Sequence, residues 1–311
     1  MMQTTPTMQT MQTIQDIALP PGYRSADALA FHGRDAEAVA ERVAPDGLRK
    51  AVLLDGVPTL LDIRFDGPLA RCHIDHDGPA TPAWPALVRE ALLNVLGLRI
   101  DPAAFAAFAH DDSLFGPVLA RQPGLRIVQS ATVFEALSWA IIGQQINLPF
   151  AIALRRTLIA LAGRAHASGL LCYPEAPDVA RLALTDLTSR KFSAAKAETV
   201  LRVARMATDG SLSLARERDP AQVSEELLAI KGIGPWTVNY VLLRGYGYPD
   251  CSLEGDVAVR AALHRLTGSA TRPTVPEAQR LLARYAPHRT MAAAYLWASL
   301  AEQAPGQEST R

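Results

Sequence analysis

Cysteine is scarce in this 311-residue sequence, and its spacing excludes the common cysteine-based sites. The three cysteines, Cys72, Cys172 and Cys251, lie far apart in the chain. They cannot form a Cys-x-x-Cys zinc motif or an iron–sulfur ligand set, and an odd number argues against the disulfide framework of a secreted protein. We therefore expect reduced thiols and a cytoplasmic protein.

Long hydrophobic runs and an excess of charge are also missing. No stretch of about 18 uncharged apolar residues predicts a transmembrane helix, and the polar N-terminus lacks the basic and apolar regions of a signal peptide. Lysine plus arginine number 31, as do aspartate plus glutamate. A zero net charge removes the simplest argument for nucleic-acid binding, a strongly basic domain. It does not exclude such binding, because a helix N-terminus can hold phosphate by itself.

The residues that are present predict a folded chain with two regions that differ in secondary structure. Hydrophobic residues make up 49% of the chain and charged residues 20%, which is a globular composition. We predict a disordered tail over 1–15, and then an α+β domain over 16–85 with an antiparallel sheet. That domain is predicted to contain a short helix at 36–43, strands at 51–54, 60–65 and 69–74, and turns at Asp55-Gly56 and Asp66-Gly67.

After three prolines between positions 79 and 85, almost every segment is typical of a helix. Thr132-x-x-Glu135 matches a capping box, and Asn147 followed by Pro149 matches a helix start. Further helices are predicted at 84–98, 102–109, 176–184, 194–209 and 223–231. We assign 86–311 to a helical core with two lobes. One covers 131–248 with a hairpin at 228–244, and the other combines 86–130 with 249–303.

The hairpin contains the most informative pattern of the chain. An apolar helix ends at Gly232-Ile233-Gly234, and Pro235 opens the next helix. Glycine permits the tight turn, and proline is favoured in a first helical turn. The amides exposed at such a turn can bind the phosphates of a nucleic acid without reading its sequence. The same pattern also occurs in ordinary helical hairpins, so it does not identify a function alone.

A single carboxylate follows the hairpin about twenty residues later. Asp256 precedes an apolar helix at 257–266 that Gly268 closes, and its position is typical of a helix N-cap. The cap role and a chemical role are compatible. An ionised carboxylate at a helix N-terminus is also the group needed to stabilise a cationic sugar or to activate water.

The hairpin and Asp256 together resemble the helix–hairpin–helix, Gly/Pro-rich, aspartate superfamily of base-excision DNA glycosylases. Within it, the chain resembles the DNA-3-methyladenine glycosylase II (AlkA-type) family. The resemblance covers nearly the whole chain, including the small α+β domain over 23–78, a Gly-Gln segment over 141–147 and a C-terminal aromatic element over 295–297. It implies a mainly α, two-lobed glycosylase core preceded by the small α+β domain.

The resemblance also implies roles for individual residues. Asp256 matches the catalytic carboxylate, and Gln145 falls where the family places a residue that wedges into the duplex, although an apolar side chain also occurs there in the family. Trp236, Tyr240 and Trp297 match base-pocket aromatics, although their positions also suit core packing. The implied DNA contacts are Gly232, Gly234, Pro235 and Thr237. The implied site for Na⁺ or K⁺ is formed by the carbonyls of Leu228, Ile230 and Ile233, and no cofactor is expected to be required.

One substitution indicates the mechanistic subclass. Superfamily members with lyase activity carry a lysine nucleophile where this chain has Trp236, and a Schiff base requires an amine in the pocket. We therefore expect a monofunctional enzyme that hydrolyses the N-glycosidic bond of alkylated purines after base flipping. Its expected partner is duplex DNA containing damaged bases. The protein is expected to be monomeric, to have no membrane contact, and to lie with the nucleoid of a prokaryotic cytoplasm.

Other interpretations remain open at this point. One is a glycosylase of the same superfamily for oxidised or deaminated bases, and another is a non-catalytic module that binds duplex DNA. A helix-turn-helix regulator is disfavoured because 237–243 is largely apolar.

Several charged residues outside the hairpin also lead to predictions. His73, Asp75, His76 and Asp77 are predicted to be a solvated strand end rather than a metal site. Arg155 and Arg156 are predicted to lie on the surface. Arg244 and Arg260 are predicted to form ion pairs, and Asp256 is the i,i+4 partner of Arg260.

Overall fold

Five strands near the N-terminus form one antiparallel sheet in the computed structural model, which describes residues 10–301 of the chain. The order across the sheet is β1-β5-β4-β3-β2. The strands are β1 (Thr10–Ala18), β2 (Glu41–Ala44), β3 (Gly47–Leu54), β4 (Val57–Asp66) and β5 (Leu69–Asp77). The three predicted strands and the first predicted turn are confirmed, and the second turn lies one residue later than predicted, at Gly67-Pro68. At the first turn, Asp55 (φ 52°) and Gly56 (φ 75°) adopt the left-handed conformation that a two-residue hairpin requires.

Two predictions for this region are wrong. Residues 10–15 of the predicted disordered tail belong to β1, which pairs with β5 along its length; residues 1–9 of that tail lie outside the described part. The predicted helix at 36–43 is absent, and the helix of this region is α1 (Ser25–His32). The Ala40 carbonyl accepts a hydrogen bond from the Ala51 amide. Pairing with a neighbouring strand therefore overrides the local helical spacing.

Within residues 10–301, thirteen further α-helices follow α1. They are α2 (Trp84–Val95), α3 (Pro102–Phe108), α4 (Gly116–Arg121), α5 (Val133–Gly143), α6 (Leu148–Ala162), α7 (Ala176–Ala180), α8 (Leu184–Thr188), α9 (Ala194–Asp209), α10 (Pro220–Leu228), α11 (Pro235–Val241), α12 (Val257–Thr267), α13 (Val275–Ala283) and α14 (Arg289–Ala301). None of these described helices is long and apolar enough to cross a membrane.

Local capping signals correctly predicted the starts of α5 and α6. The Thr132 hydroxyl accepts from the Glu135 amide (3.1 Å), and the Asn147 side chain accepts from the Phe150 amide (2.9 Å). The Glu135 carboxylate, however, accepts from the Ala131 amide rather than closing the box at Thr132. The predicted helix at 176–184 is divided into α7 and α8, and the one predicted at 223–231 begins earlier, at Pro220.

The described residues form two large apolar cores and a small third cluster around Ala51, Leu53 and Leu170. The larger of the two cores fills the helical body, and the smaller of the two joins the sheet to α2. The Trp84 indole also donates to the Thr59 hydroxyl of β4 (2.9 Å). The domain limits remain predictions, and this packing favours a boundary after α2 rather than at 85/86.

The sheet and the helical body are joined by backbone pairing at the free edge of β3. The Leu53 amide donates to the Tyr173 carbonyl, and the Tyr173 amide donates to the Ala51 carbonyl, both at 3.1 Å. The three cysteines are buried free thiols: Cys72, Cys172 and Cys251. The edge of β3 beyond its short partner β2 is therefore covered rather than exposed.

A group of four buried charges also joins the two parts. Lys50 Nζ lies 2.6 Å from Glu41 Oε1 and 2.8 Å from Glu135 Oε1, and Arg155 Nη2 lies 2.6 Å and 3.0 Å from the same two atoms. The prediction that Arg155 lies on the surface is therefore wrong, because two carboxylates compensate its charge in the interior. Burial alone would raise the pKa of Glu41, but Arg155 and Lys50 lower it below its usual value.

Candidate active site

The predicted hairpin connects α10 to α11, and its two glycines are constrained differently. Gly232 has φ 99°, and a Cβ atom there would lie 2.3 Å from Oγ1 of Thr199 on α9. Gly234 has extended backbone and caps α11, and no heavy atom lies within 4 Å of its Cβ position. The fold therefore requires glycine at 232, whereas Gly234 leaves open space in front of the start of α11.

Gln144, rather than Gln145, ties the end of α5 to this hairpin. Its side-chain amide donates to the Gly232 carbonyl (3.0 Å) and to the Thr237 hydroxyl (2.9 Å). The Thr237 side chain is consequently buried. Gln145 is exposed and has φ 55°, a conformation that costs energy for a residue with a side chain.

Asp256 lies where the hairpin, α12 and α14 meet. Its Oδ1 accepts from the Val259 amide (2.9 Å), which confirms the predicted N-cap. Oδ2 accepts from the Trp236 indole (2.9 Å), and Oδ1 also accepts from the Trp297 indole (3.2 Å). Three N–H groups thus fix the orientation of this carboxylate.

The predicted ion pair between Asp256 and Arg260 is wrong. The carboxylate turns toward the two indoles, and an Arg260 Nη1 donates instead to the Pro273 carbonyl (3.4 Å). Among the residues 10–301, no ion pair includes Arg260.

The predicted aromatic residues come together around a cavity of about 1270 Å³. The ring centroids of Trp236 and Tyr240 lie 5.1 Å apart, and those of Tyr240 and Trp297 lie 6.4 Å apart. The Trp139 indole donates to the Tyr240 hydroxyl (3.0 Å). Asp256 and Gln145 also line the cavity, so residues far apart in the chain share one site that can surround a planar ring with aromatic faces.

Sequence reasoning missed a second wall of this cavity. Phe31 on α1, Arg34 just after it and Arg244 in a π-helical turn (Leu242–Tyr246) all line it. The guanidinium carbons of Arg34 and Arg244 lie 3.8 Å and 4.6 Å from the centroid of the Phe31 ring. No local pattern links positions 31 and 34 to a hairpin some two hundred residues away.

The predicted ion pair for Arg244 is also wrong. An Nη1 of Arg244 donates to the Val128 carbonyl, and its guanidinium carbon lies 5.3 Å from the Trp297 ring centroid. Burial lowers the pKa of Arg244. Burial likewise lowers the pKa of Arg34 to about 10, and the charge of Arg244 acts in the same direction.

Two metal predictions remain, one for the segment 73–77 and one for the hairpin. The predicted solvated strand end is wrong for His76 and Asp77, because both side chains are buried. Within the described residues, no group of three or more histidine, cysteine, aspartate or glutamate side chains is placed to hold a metal ion. At the hairpin, backbone carbonyl oxygens are suitable ligands for a hard monovalent cation. The Ile230 carbonyl already accepts from the Ile233 amide (3.0 Å) and has a second lone pair free. Oxygen is the donor type that Na⁺ or K⁺ requires, and the site stays a prediction.

Comparison with known proteins identifies the superfamily. A family model described as HhH-GPD superfamily base excision DNA repair protein matches residues 138–288. DNA-3-methyladenine glycosylase of Bacillus subtilis is 31% identical over 202 residues, which are 63% of this chain and 67% of that protein. The chain belongs to the HhH-GPD superfamily. The matched residues of this HhH-GPD protein include the hairpin and Asp256, but not Phe31, Arg34 or Trp297.

Further relatives agree with this assignment. DNA-3-methyladenine glycosylase 2 of Escherichia coli is 27% identical over 270 residues, which are 81% of this chain and 91% of that protein. Among solved structures, the 3-methyladenine DNA glycosylase from Archaeoglobus fulgidus superposes with a TM-score of 0.77 at 23% identity, covering 91% of this chain and 97% of that one. The predicted fold is therefore confirmed. The predicted function, that of a base-excision repair DNA glycosylase with DNA as its partner, is confirmed as well.

Proposed function

We propose that this glycosylase hydrolyses the N-glycosidic bond of alkylated purines of the 3-methyladenine type in duplex DNA. The names of the relatives in Bacillus subtilis and Escherichia coli support this substrate class. The observation that carries the mechanism is the Asp256 carboxylate, which two indole N–H groups hold at an aromatic cavity.

In the proposed mechanism, the damaged nucleotide leaves the duplex and its base enters the cavity. Asp256 stabilises the developing oxocarbenium ion or aligns water on it. One carboxylate is sufficient because an alkylated purine carries positive charge and leaves without prior protonation, unlike the leaving group of an ordinary glycoside. The aromatic faces of Trp236, Tyr240 and Trp297 attract such a cationic base, by roughly 0.5–2 kcal/mol for a good contact.

We infer that the enzyme has no lyase activity. Trp236 stands where lyase members carry their lysine, and no lysine is among the residues described around the cavity. Lys196, which lies near the hairpin, donates to the carbonyls of Ile141 (3.4 Å) and Gln144. Without an amine in the cavity, the sugar cannot form a Schiff base.

The proposed DNA contacts surround the mouth of the cavity. The amides of Gly232, Gly234 and Thr237 bind a phosphate near the start of α11, and Pro235, which has no N–H, contacts the DNA through its ring. Gln145, exposed and left-handed, fills the gap that the flipped nucleotide leaves. Na⁺ or K⁺ at Leu228, Ile230 and Ile233 would hold the turn in shape. We also propose that the enzyme acts as a monomer in the cytoplasm of a prokaryotic cell, close to the nucleoid.

The test uses methylated duplex DNA with the wild-type protein and Asp256→Asn. Asparagine is also a good N-cap, so this variant keeps the start of α12 and removes the charge. We expect wild-type protein to release 3-methyladenine, detected by chromatography, and Asp256→Asn to be slower by about 10²–10³-fold. Strand breaks should appear only after alkali. Equal rates for the two proteins would exclude Asp256 as the catalytic carboxylate, and breaks without alkali would contradict the monofunctional mechanism.

A further inference from the structure

Two arginines without carboxylate partners reach the cavity from different parts of the chain. Among the described residues, no ion pair includes Arg34 or Arg244, and both guanidinium groups lie over Phe31. Arg34 uses its Nε to donate to the Phe31 carbonyl (2.7 Å). The Nε of Arg244 is buried and has no hydrogen-bond partner.

Packing alone does not explain this arrangement. Arg34 and Arg244 are half-buried against the same ring, and a charge partly removed from water without a counter-charge destabilises the folded protein. Elsewhere in the same chain, the buried Arg155 is paired with two carboxylates. With a pKa of about 10, Arg34 remains protonated at neutral pH. The two positive charges are therefore retained beside the cavity with aromatic rings and carbonyls around them but no carboxylate partner.

We propose that Arg34 and Arg244 stabilise the departing base, and that they set the excision rate of neutral purines, which leave as anions with hydrogen-bond acceptors on their edge. This inference rests on the proposed function and adds a second charged group to it. Asp256 acts on the sugar, and the arginines act on the base. Trp297 lies between them, since its indole donates to Asp256 while its ring faces Arg244.

The chemistry of a neutral purine shows why such donors matter. When the bond between C1′ and N9 breaks, its electron pair stays on the base, and the water oxygen forms the new bond to C1′. One proton of that water ends on the departed base. Until then the base is an anion whose charge lies on ring nitrogens and any keto oxygen. Guanidinium N–H groups match these acceptors.

A cationic alkylated purine needs less stabilisation by the arginines when it leaves. The same bond cleavage converts it into a neutral base, so no anion has to be stabilised. The two lesion classes should therefore differ in their sensitivity to loss of either arginine. A purely structural role would affect both classes equally.

The experiment measures single-turnover excision with saturating enzyme on duplexes that contain one hypoxanthine or one 7-methylguanine. For Arg34→Met and for Arg244→Met, we expect the hypoxanthine rate to fall by about 10²-fold. The 7-methylguanine rate should fall by less than about 10-fold, which also reports that the variant is folded. Arg34→Lys keeps the charge and should restore part of the hypoxanthine rate.

Two controls complete the design. Arg64→Met removes one exposed arginine that pairs with Asp46 on the sheet, and both rates should stay unchanged. Asp256→Asn should lower both rates. Equal losses for the two lesions in the arginine variants, or an unchanged hypoxanthine rate, would overturn the inference. Wild-type enzyme that releases 7-methylguanine but no hypoxanthine would overturn it and leave the proposed function standing, whereas release of neither base would contradict both.

Discussion

The two glycines of the hairpin, Gly232 and Gly234, differ in whether their position would tolerate a side chain. At Gly232, a methyl group meets the Thr199 side chain and the backbone is left-handed, while at Gly234 it meets only open space. In the proposed complex, that open space is where a DNA phosphate approaches. We therefore expect the fold to require glycine at position 232 and DNA binding to require it at position 234.

We expect Gly232→Ala to lower the free energy of unfolding by about 1–3 kcal/mol, because backbone strain and a close contact act together. Gly234→Ala should change it by less than about 0.5 kcal/mol and should raise the Kd for duplex DNA. Urea unfolding and fluorescence anisotropy measure the two quantities. A Gly234→Ala protein with wild-type affinity would show that phosphate does not approach this residue.

Among the elements, α1 combines a structural task with a functional one. It carries Phe31 into the cavity and places His32 in the interior, where the ring Nε2 lies 3.3 Å from the Val95 carbonyl of α2. Burial lowers the pKa of His32 to about 3, and Lys50 acts in the same direction. The stability of this helix should therefore depend on pH.

The unfolded chain protonates His32 near pH 6.5, whereas the folded chain does so near pH 3. Below pH 6.5 the unfolded state gains a proton that the folded state excludes, so stability falls as the pH decreases; at pH 5 this amounts to about 2 kcal/mol. His32→Gln should show a smaller loss between pH 6.5 and pH 5 in urea titrations. His110→Gln, at an exposed position, is the matched control. Parallel pH profiles for wild type and His32→Gln would refute this assignment.

At the scale of the whole molecule, buried charges hold the sheet against the helical body. Glu41 and Lys50 belong to the sheet, and Glu135 and Arg155 belong to α5 and α6. Removing one carboxylate leaves two buried cations with a single counter-charge. The resulting loss of stability is larger than the stabilisation that the intact group of four charges provides.

Glu41→Gln should accordingly destabilise the protein by about 3–5 kcal/mol. Asp46→Asn, which breaks the exposed pair with Arg64, should cost less than about 1 kcal/mol. Thermal unfolding followed by circular dichroism compares the two variants. Similar losses for both would mean that the buried group does not hold the two parts together.

Sequence reasoning succeeded where the cause of a structure is local. The caps at Asn147 and Asp256 each accept from the amide three positions later, and Pro235 favours the start of α11 through its own fixed φ. It failed where the cause is distant. Arg155 is buried because Glu41, 114 positions earlier, accepts its hydrogen bonds. The part of α1 at the cavity was missed for the same reason, because its contacts there come from residues distant in the sequence.

The wall that α1 contributes lies outside the segment matched by the superfamily model, which begins at residue 138. If the inference on the arginines holds, mutations at positions 31 and 34 would change which lesions are accepted while the hairpin and Asp256 stay intact. An ancestral repair enzyme could acquire a new lesion preference in this way without passing through an inactive intermediate. Divergence among such enzymes should then be sought first in their N-terminal helices, where selection can act on specificity and spare the chemistry.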